Sequence, residues 1–206
     1  MERVTYVMLD LYLMRHGRTQ WNLEGRIQGG HDSLLLPESK IYVRKMAEFL
    51  NGQRIGHVFV SPLGRCVETV KIVRQVTGYD YVIDERLREC DHGQCEGMTM
   101  AEVERRFPGF LMMREQNRWV TKWPGGEAYS DVSARARSFV DDLYAYHADK
   151  ARVLIVAHEM FNKCLIGAVL GWSADVATMK LRQENNVLFS INNDTLSLKS
   201  FTGVSM

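Results

Sequence analysis

Short apolar runs alternate along this chain with longer segments whose apolar residues recur every three or four positions, and Gly, Pro or a polar cluster stands at most junctions. The runs predict strands and the spaced segments predict amphipathic helices. Residues 9–14 predict a buried strand. Residues 38–51 predict a helix with Ile41, Met46, Phe49 and Leu50 among its apolar positions. A strand at His57–Val60, a helix over 63–77 stopped by Gly78 and a short strand at 81–83 follow. The pattern then turns helical over 100–107, where Pro108 stops it, over 110–120, and over 130–146 with Ser130 as N-cap and Asp131 in the first turn. Arg152–Ala157 is the most strand-like segment, and a helix over 161–170 with a Gly171 stop comes after it. Strands at 187–191 and Thr195–Ser200 flank Asn192-Asn193-Asp194 and predict a hairpin.

Alternating strand and helix imply an α/β fold: a three-layer sandwich with a mostly parallel sheet, an antiparallel edge and helices on both faces. No repeat or linker divides the 206 residues, so a single domain spanning 1–206 is expected. Lys and Arg number 26 against 25 Asp and Glu, which leaves no bulk charge to attract nucleic acid or an anionic membrane. Any affinity for anions must come from a local cluster. The four cysteines, Cys66, Cys90, Cys95 and Cys164, show no CxxC spacing and read as reduced thiols. The first thirteen residues carry Glu2, Arg3 and Asp10 and no small-residue cleavage site, which argues against a signal peptide. No apolar run approaches the roughly 20 residues of a membrane helix, and the expected location is cytoplasmic. Oligomeric state leaves no trace in the sequence.

The chemistry sits at strand ends. Arg15-His16-Gly17 closes the first strand, Ser61-Pro62-Leu63 with Arg65 follows the second, and His158 ends the strand Arg152–Ala157. The carboxyl ends of parallel strands converge on one crevice, so two arginines and two histidines meet there. Such a cluster calls for an anion, and a phosphoryl dianion suits it. The charged stretch 84–89 adds carboxyls for general acid work, with Glu85 and Glu89 both available. Taken singly, Arg65 also reads as a solvated helix residue and His158 as a satisfied loop histidine. Cys90, His92 and Cys95 match no common zinc spacing, and no metal is expected. Trp119 and Trp123 with Met112 and Met113 fit core packing or a lid over the site.

These segments, in this order, resemble the histidine phosphatase superfamily, also called phosphoglycerate mutase-like, over nearly the whole chain. Arg15-His16-Gly17 with Thr19, Trp21 and Asn22 is similar to its opening signature, and Arg26-Ile27-Gln28-Gly29 with Asp32 to the loop after it. Ser61-Pro62-Leu63 with Arg65 and Thr69 is similar to the second motif, and Leu87, Glu89, Gly93, Glu96 and Gly97 to the proton-donor segment. Pro124-Gly125-Gly126-Glu127 with Arg135 resembles a later loop, and Val156-Ala157-His158 the last catalytic element.

The resemblance implies His16 as a nucleophile that becomes phosphorylated, Arg15, Arg65 and His158 as the clamp on the phosphoryl oxygens, and Glu89 as the proton donor. Asn22 then donates to the phosphoryl group while Gln28 and Gly29 line the opening. No cofactor is implied. The expected activity is hydrolysis of a small, anionic phosphorylated metabolite. Cofactor-dependent phosphoglycerate mutases use the same residues but typically carry longer insertion and tail segments than 98–123 and the stretch after the hairpin. A weakly active protein that binds a phospho-ligand or a partner is the third reading. Four departures from the family bear on these. Arg18 replaces a usual acidic residue and suggests a substrate with a second anionic group. Glu159-Met160 replaces glycines, placing a carboxylate where it would repel phosphate unless paired, with Arg18 or Lys163 as partner. Lys163 itself stands where arginine is common, and Gly29-Gly30-His31 lacks the usual aromatic.

Overall fold

The computed structural model describes residues 8–147, 149–173, 176, 178 and 181–202. Most of the stretch on which a signal peptide was argued against lies outside them. Six strands form one sheet in the order β3-β2-β4-β1-β5-β6. β1 (Asp10–Arg15), β2 (His57–Val60), β3 (Val82–Ile83) and β4 (Arg152–Ala157) run parallel. β5 (Val187–Asn192) and β6 (Thr195–Ser200) add the antiparallel edge. The chain is thus the expected α/β sandwich.

Alternation along the central strands divides the core in two. Leu11, Leu13, Val153 and Ile155 face α6 (Tyr129–Tyr146) and α7 (Glu159–Leu170), where Phe139, Phe161 and Leu165 meet them. Tyr12, Met14, Leu154 and Val156 face α2 (Pro37–Asn51) and α3 (Gly64–Thr77), against Val43, Met46, Leu50 and Val70. Strands covered on both faces become continuous apolar runs, which is why β1 and β4 were so readable. Each fully buried Leu or Met on them contributes about 1.5–3 kcal/mol.

This division creates the site. From β1 the chain leaves to α2 on one face, and from the neighbouring β4 it leaves to α7 on the other. Adjacent parallel strands whose connections part to opposite faces leave a crevice at their carboxyl ends, the usual ligand position in such sheets.

Several boundaries differ from the pattern reading. α6 begins at Tyr129, and Ser130 lies inside it. Ala128 holds the cap position, where its N–H donates to the Asp131 carboxylate at 2.8 Å. An acidic residue in the first turn thus does the capping that the serine was expected to do. α7 starts at Glu159, two residues early, which makes His158 its N-cap. A short helix, α1 (Gln20–Glu24), lacks any buried residue and rests on the Thr19–Asn22 capping box. α4 (Met100–Arg106) stops before Pro108, and α5 (Phe110–Gln116) ends short of the expected 120. The hairpin extends through Asn192, and its two-residue turn is Asn193-Asp194, both with positive φ (48° and 57°).

Candidate active site

The end of β1 hands over to the site without leaving the sheet. The His16 N–H donates to the Ala157 carbonyl (3.1 Å) and the Ser61 N–H to the Val156 carbonyl (3.0 Å), so residues 16, 61 and 158 project from one edge. His16 is buried, and its Nδ1 lies 2.9 Å from the Gly17 carbonyl. A carbonyl only accepts, so Nδ1 carries the proton and Nε2 keeps its lone pair. Burial above all, then the charges of Arg65 and Arg15, hold His16 well below the ordinary histidine value, although the bond to Gly17 opposes them. Loss of water on burial is the larger cause, and like-charge repulsion adds to it.

Arg65 is no solvated surface residue. It is 2% exposed. Its Nη1 donates to the His31 carbonyl and to Asp32, and its Nη2 to the Gly29 carbonyl (2.8 Å) and His158 Nδ1 (3.2 Å). Asp32 also accepts the Gly64 and Arg65 N–H groups at the start of α3, fixing the side chain from its own helix terminus. Arg15 donates through Nη1 to the Glu159 carboxylate (2.9 Å) and the Gln183 carbonyl (2.7 Å). The Nε atoms of both arginines are buried and without a partner among the described residues. Orphaned guanidinium N–H groups beside a buried neutral histidine form a cradle that an anion completes.

A cavity of about 320 Å³ collects the expected groups: Arg15, His16, Asn22, Gln28, Gly29, Arg65, Glu89 and Glu159 all line it. His158 lies one layer behind. It is fully buried, its ring centroid 5.3 Å from that of His16. Its Nδ1 accepts from Arg65, so its Nε2 carries the proton and donates to Ser61 Oγ (2.8 Å). Arg18 also stands apart, in an adjoining recess.

Glu159 is paired, but with Arg15 and Lys163 (2.8 Å) rather than Arg18. Burial pushes its carboxyl up, and Arg15 and Lys163 outweigh that, leaving the value lowered. The α7 N-terminus favours the same ionised form. The feared bare carboxylate beside the phosphate is therefore neutralised by two cations.

The remaining groups are held by loops. Asn22 turns its Oδ1 back onto Thr19, leaving its NH₂ as the donor end. Gln28 accepts from Thr19 and Ser33. Gly29 has φ 52°, and a Cβ there would meet Glu96 Oε1 at 1.8 Å. Glu96 accepts from the Gly30 and His92 N–H groups and pairs with His31, tying the Gly29–His31 loop to the segment that follows Glu89. Glu89 is half-buried and accepts the Cys90 N–H at 2.9 Å. Glu85, its sequence rival, is exposed and pairs with Arg88.

Several contributors escaped the pattern reading. Arg135 donates to the carbonyls of Arg86 (2.7 Å), Arg88 (2.6 Å) and Glu89 (3.0 Å) while Glu127 pairs with it, so it anchors the segment that ends in Glu89. Its motif was visible, its task was not. Gln183 supports Arg15, and Asn185 donates to the His16 carbonyl (2.8 Å), both from a stretch without periodicity or motif. Of the 98–123 segment, Met100 reaches the cavity wall, Trp123 is buried against Arg114 and His92, and Met112 and Met113 are exposed. All four cysteines are buried free thiols. No helix among the described residues is long and apolar enough to cross a membrane.

Comparison with known proteins places the chain in a family. The family model described as "Histidine phosphatase superfamily (branch 1)" matches residues 11–201. "Probable phosphoglycerate mutase GpmB" of Enterobacter sp. (strain 638) is 34% identical over 178 residues, covering 86% of this chain and 82% of that protein. The structure of mycobacterial glucosyl-3-phosphoglycerate phosphatase Rv2419c with VO3 superposes with a TM-score of 0.81 at 26% identity, covering 93% of this chain and 98% of that one. The alpha-ribazole phosphatase from Shigella flexneri shares the fold, with a TM-score of 0.82 at 22% identity over 94% and 96% of the two chains.

Proposed function

The chain belongs to the histidine phosphatase superfamily, and on that premise we propose that it is a phosphomonoesterase acting on a small, anionic phosphorylated metabolite through a phosphohistidine at His16. The observation that carries this reading is the neutral His16, its Nδ1 proton fixed on Gly17, beside two arginines with unpartnered buried Nε atoms. The Nε2 lone pair attacks phosphorus, and the bond to the leaving oxygen breaks as that oxygen takes a proton from Glu89. Water then gives its proton to Glu89 and attacks the phosphohistidine, returning the electron pair to Nε2 and releasing phosphate. Arg15, Arg65 and the Asn22 NH₂ hold the equatorial oxygens, and Gln28 and Gly29 shape the opening. His158 acts by fixing Arg65 and packing His16. The scheme uses no metal or other cofactor.

Turnover of a labelled phosphomonoester, quenched in alkali, should leave base-stable, acid-labile label on His16, undiminished when EDTA is present. His16→Ala should lower turnover by several orders of magnitude. Label on another residue type, or near-normal activity of His16→Ala, contradicts the reading. The relatives named as mutases favour a second outcome, transfer of the phosphoryl group back to an acceptor hydroxyl. Product analysis with labelled 3-phosphoglycerate separates the two: free phosphate marks the phosphatase, and 2-phosphoglycerate the mutase.

A further inference from the structure

We propose that the recess around Arg18 is a subsite for a second acidic group, a carboxylate or phosphate, carried by the substrate. The proposal rests on the phosphatase reading and names the substrate class. The recess encloses about 480 Å³ and adjoins the catalytic cavity, with Arg15, Asn22 and Glu159 lining both. A ligand there lies one side-chain layer from the phosphoryl group.

Its charge is unbalanced. Of its three arginines, Arg15 is paired with Glu159 and Arg182 with Glu184. Arg18 has no carboxylate within ion-pair distance among the described residues, so the recess holds one positive charge in excess. It is also ready-made. The Arg18 N–H donates to the Tyr42 hydroxyl (3.2 Å), and its carbonyl accepts the Leu36 N–H (2.8 Å), which anchors the backbone from which the side chain extends. The Tyr42 hydroxyl, which accepts from Arg18 and also interacts with Ser39, and the Asn22 NH₂ add neutral hydrogen-bonding groups to the lining. Every side chain that lines the recess is polar or aromatic with a hydroxyl. This lining suits a hydrogen-bonding anion and not an apolar ring. An arginine presented with neutral donors is the usual means of holding a carboxylate or phosphate.

The test compares three esters on wild type and Arg18→Ala: 4-nitrophenyl phosphate, glycerol 3-phosphate, and 3-phosphoglycerate, which adds a carboxylate to the second. Arg18 is exposed and makes no core contact, so the variant should fold. For 3-phosphoglycerate KM should rise about tenfold, the factor carried by a contact of about 1.4 kcal/mol, with kcat within about twofold. For the other two, both constants should hold within about twofold, and Arg18→Lys should recover part of the loss. Equal loss on all three esters, or no change on any, overturns the subsite. A free anion in the recess would show as inhibition or activation of glycerol 3-phosphate hydrolysis by acetate or sulfate in wild type that Arg18→Ala abolishes. With 3-phosphoglycerate unaffected by the substitution, that result overturns the assignment to the substrate. A wild type inert on all three esters removes the phosphatase reading instead. The recess is then judged by calorimetric binding of 3-phosphoglycerate, which Arg18→Ala should weaken about tenfold if the subsite is real and leave unchanged if it is not.

Discussion

Arg65 concentrates more of the site's physics than any other side chain. Its guanidinium reaches the Gly29 and His31 carbonyls, Asp32 and His158, and its charge depresses both His16 and His158. On the proposed mechanism, truncation therefore removes a phosphoryl ligand and a brake on protonation together. Arg65→Ala should lower kcat on the order of 10²–10³ and shift the acid limb of kcat/KM upward in pH, because His16 loses a neighbouring positive charge. In wild type the same limb should lie below pH 6.5, the ordinary histidine value. Rates across the pH range for both proteins check this, and an unmoved limb would separate Arg65 from the nucleophile. Glu159 teaches the converse lesson. In the sequence it is a lone acid beside a histidine; only the folded chain shows Arg15 and Lys163 on its two oxygens.

The proton-donor segment owes its place to a contact between two loops that admits no side chain. Gly93 has φ 52°, and a Cβ on it would meet the Pro124 carbonyl oxygen at 2.3 Å; one on Gly126 would meet the Asp91 carbonyl oxygen at the same distance. Gly93→Ala should destabilise the fold by about 2–4 kcal/mol, the range for strain plus overpacking, and lower activity by moving Glu89. A lowered urea midpoint is the check, and an unchanged midpoint would mean that the loops do not meet this closely. Elements like these mark the limit of pattern reading. β1, β4 and the hairpin were legible because continuous burial, alternation and a positive-φ Asn-Asp turn write themselves into local sequence. α1 was not, since five residues without a buried face leave no periodicity. Neither were Gln183 and Asn185, whose partners, the Arg15 guanidinium and the Leu13 and His16 carbonyls, are far away in sequence. Site residues at strand ends were legible as a set, whereas the partner that each one takes was a property of the fold.

On the scale of the whole molecule, neutral histidines, two buried and one half-buried, set the response to acid. Burial foremost, helped by Arg65, holds His158 well below its ordinary 6.5, as it does His16; burial, with Arg114, brings His92 down to about 4. These groups stay uncharged in the native state while the unfolded chain takes up protons below pH 6.5. Their stabilisation is complete above that pH and is lost as pH falls toward their folded values. Carboxylates held low, such as Glu159 with its ordinary 4.5, add their loss only at lower pH. The thermal midpoint should therefore decline between pH 6.5 and 5, and His92→Phe should flatten that decline; a midpoint constant over this interval would contradict the burial of these rings. The pairing of β1 with β4 has a consequence of another kind. Arg15 and Glu159 touch across 144 residues of chain; β1, which ends in Arg15, is the sheet neighbour of β4, which leads into α7 and Glu159. Closing so long a loop is slow and comes late in folding. During synthesis His16 leaves the ribosome long before β4 and α7 exist to bury it, so an unfinished chain holds it without its electrostatic setting. The cluster around His16 is thus complete only once β4 and α7 have docked beside β1, bringing His158 and Glu159 to it.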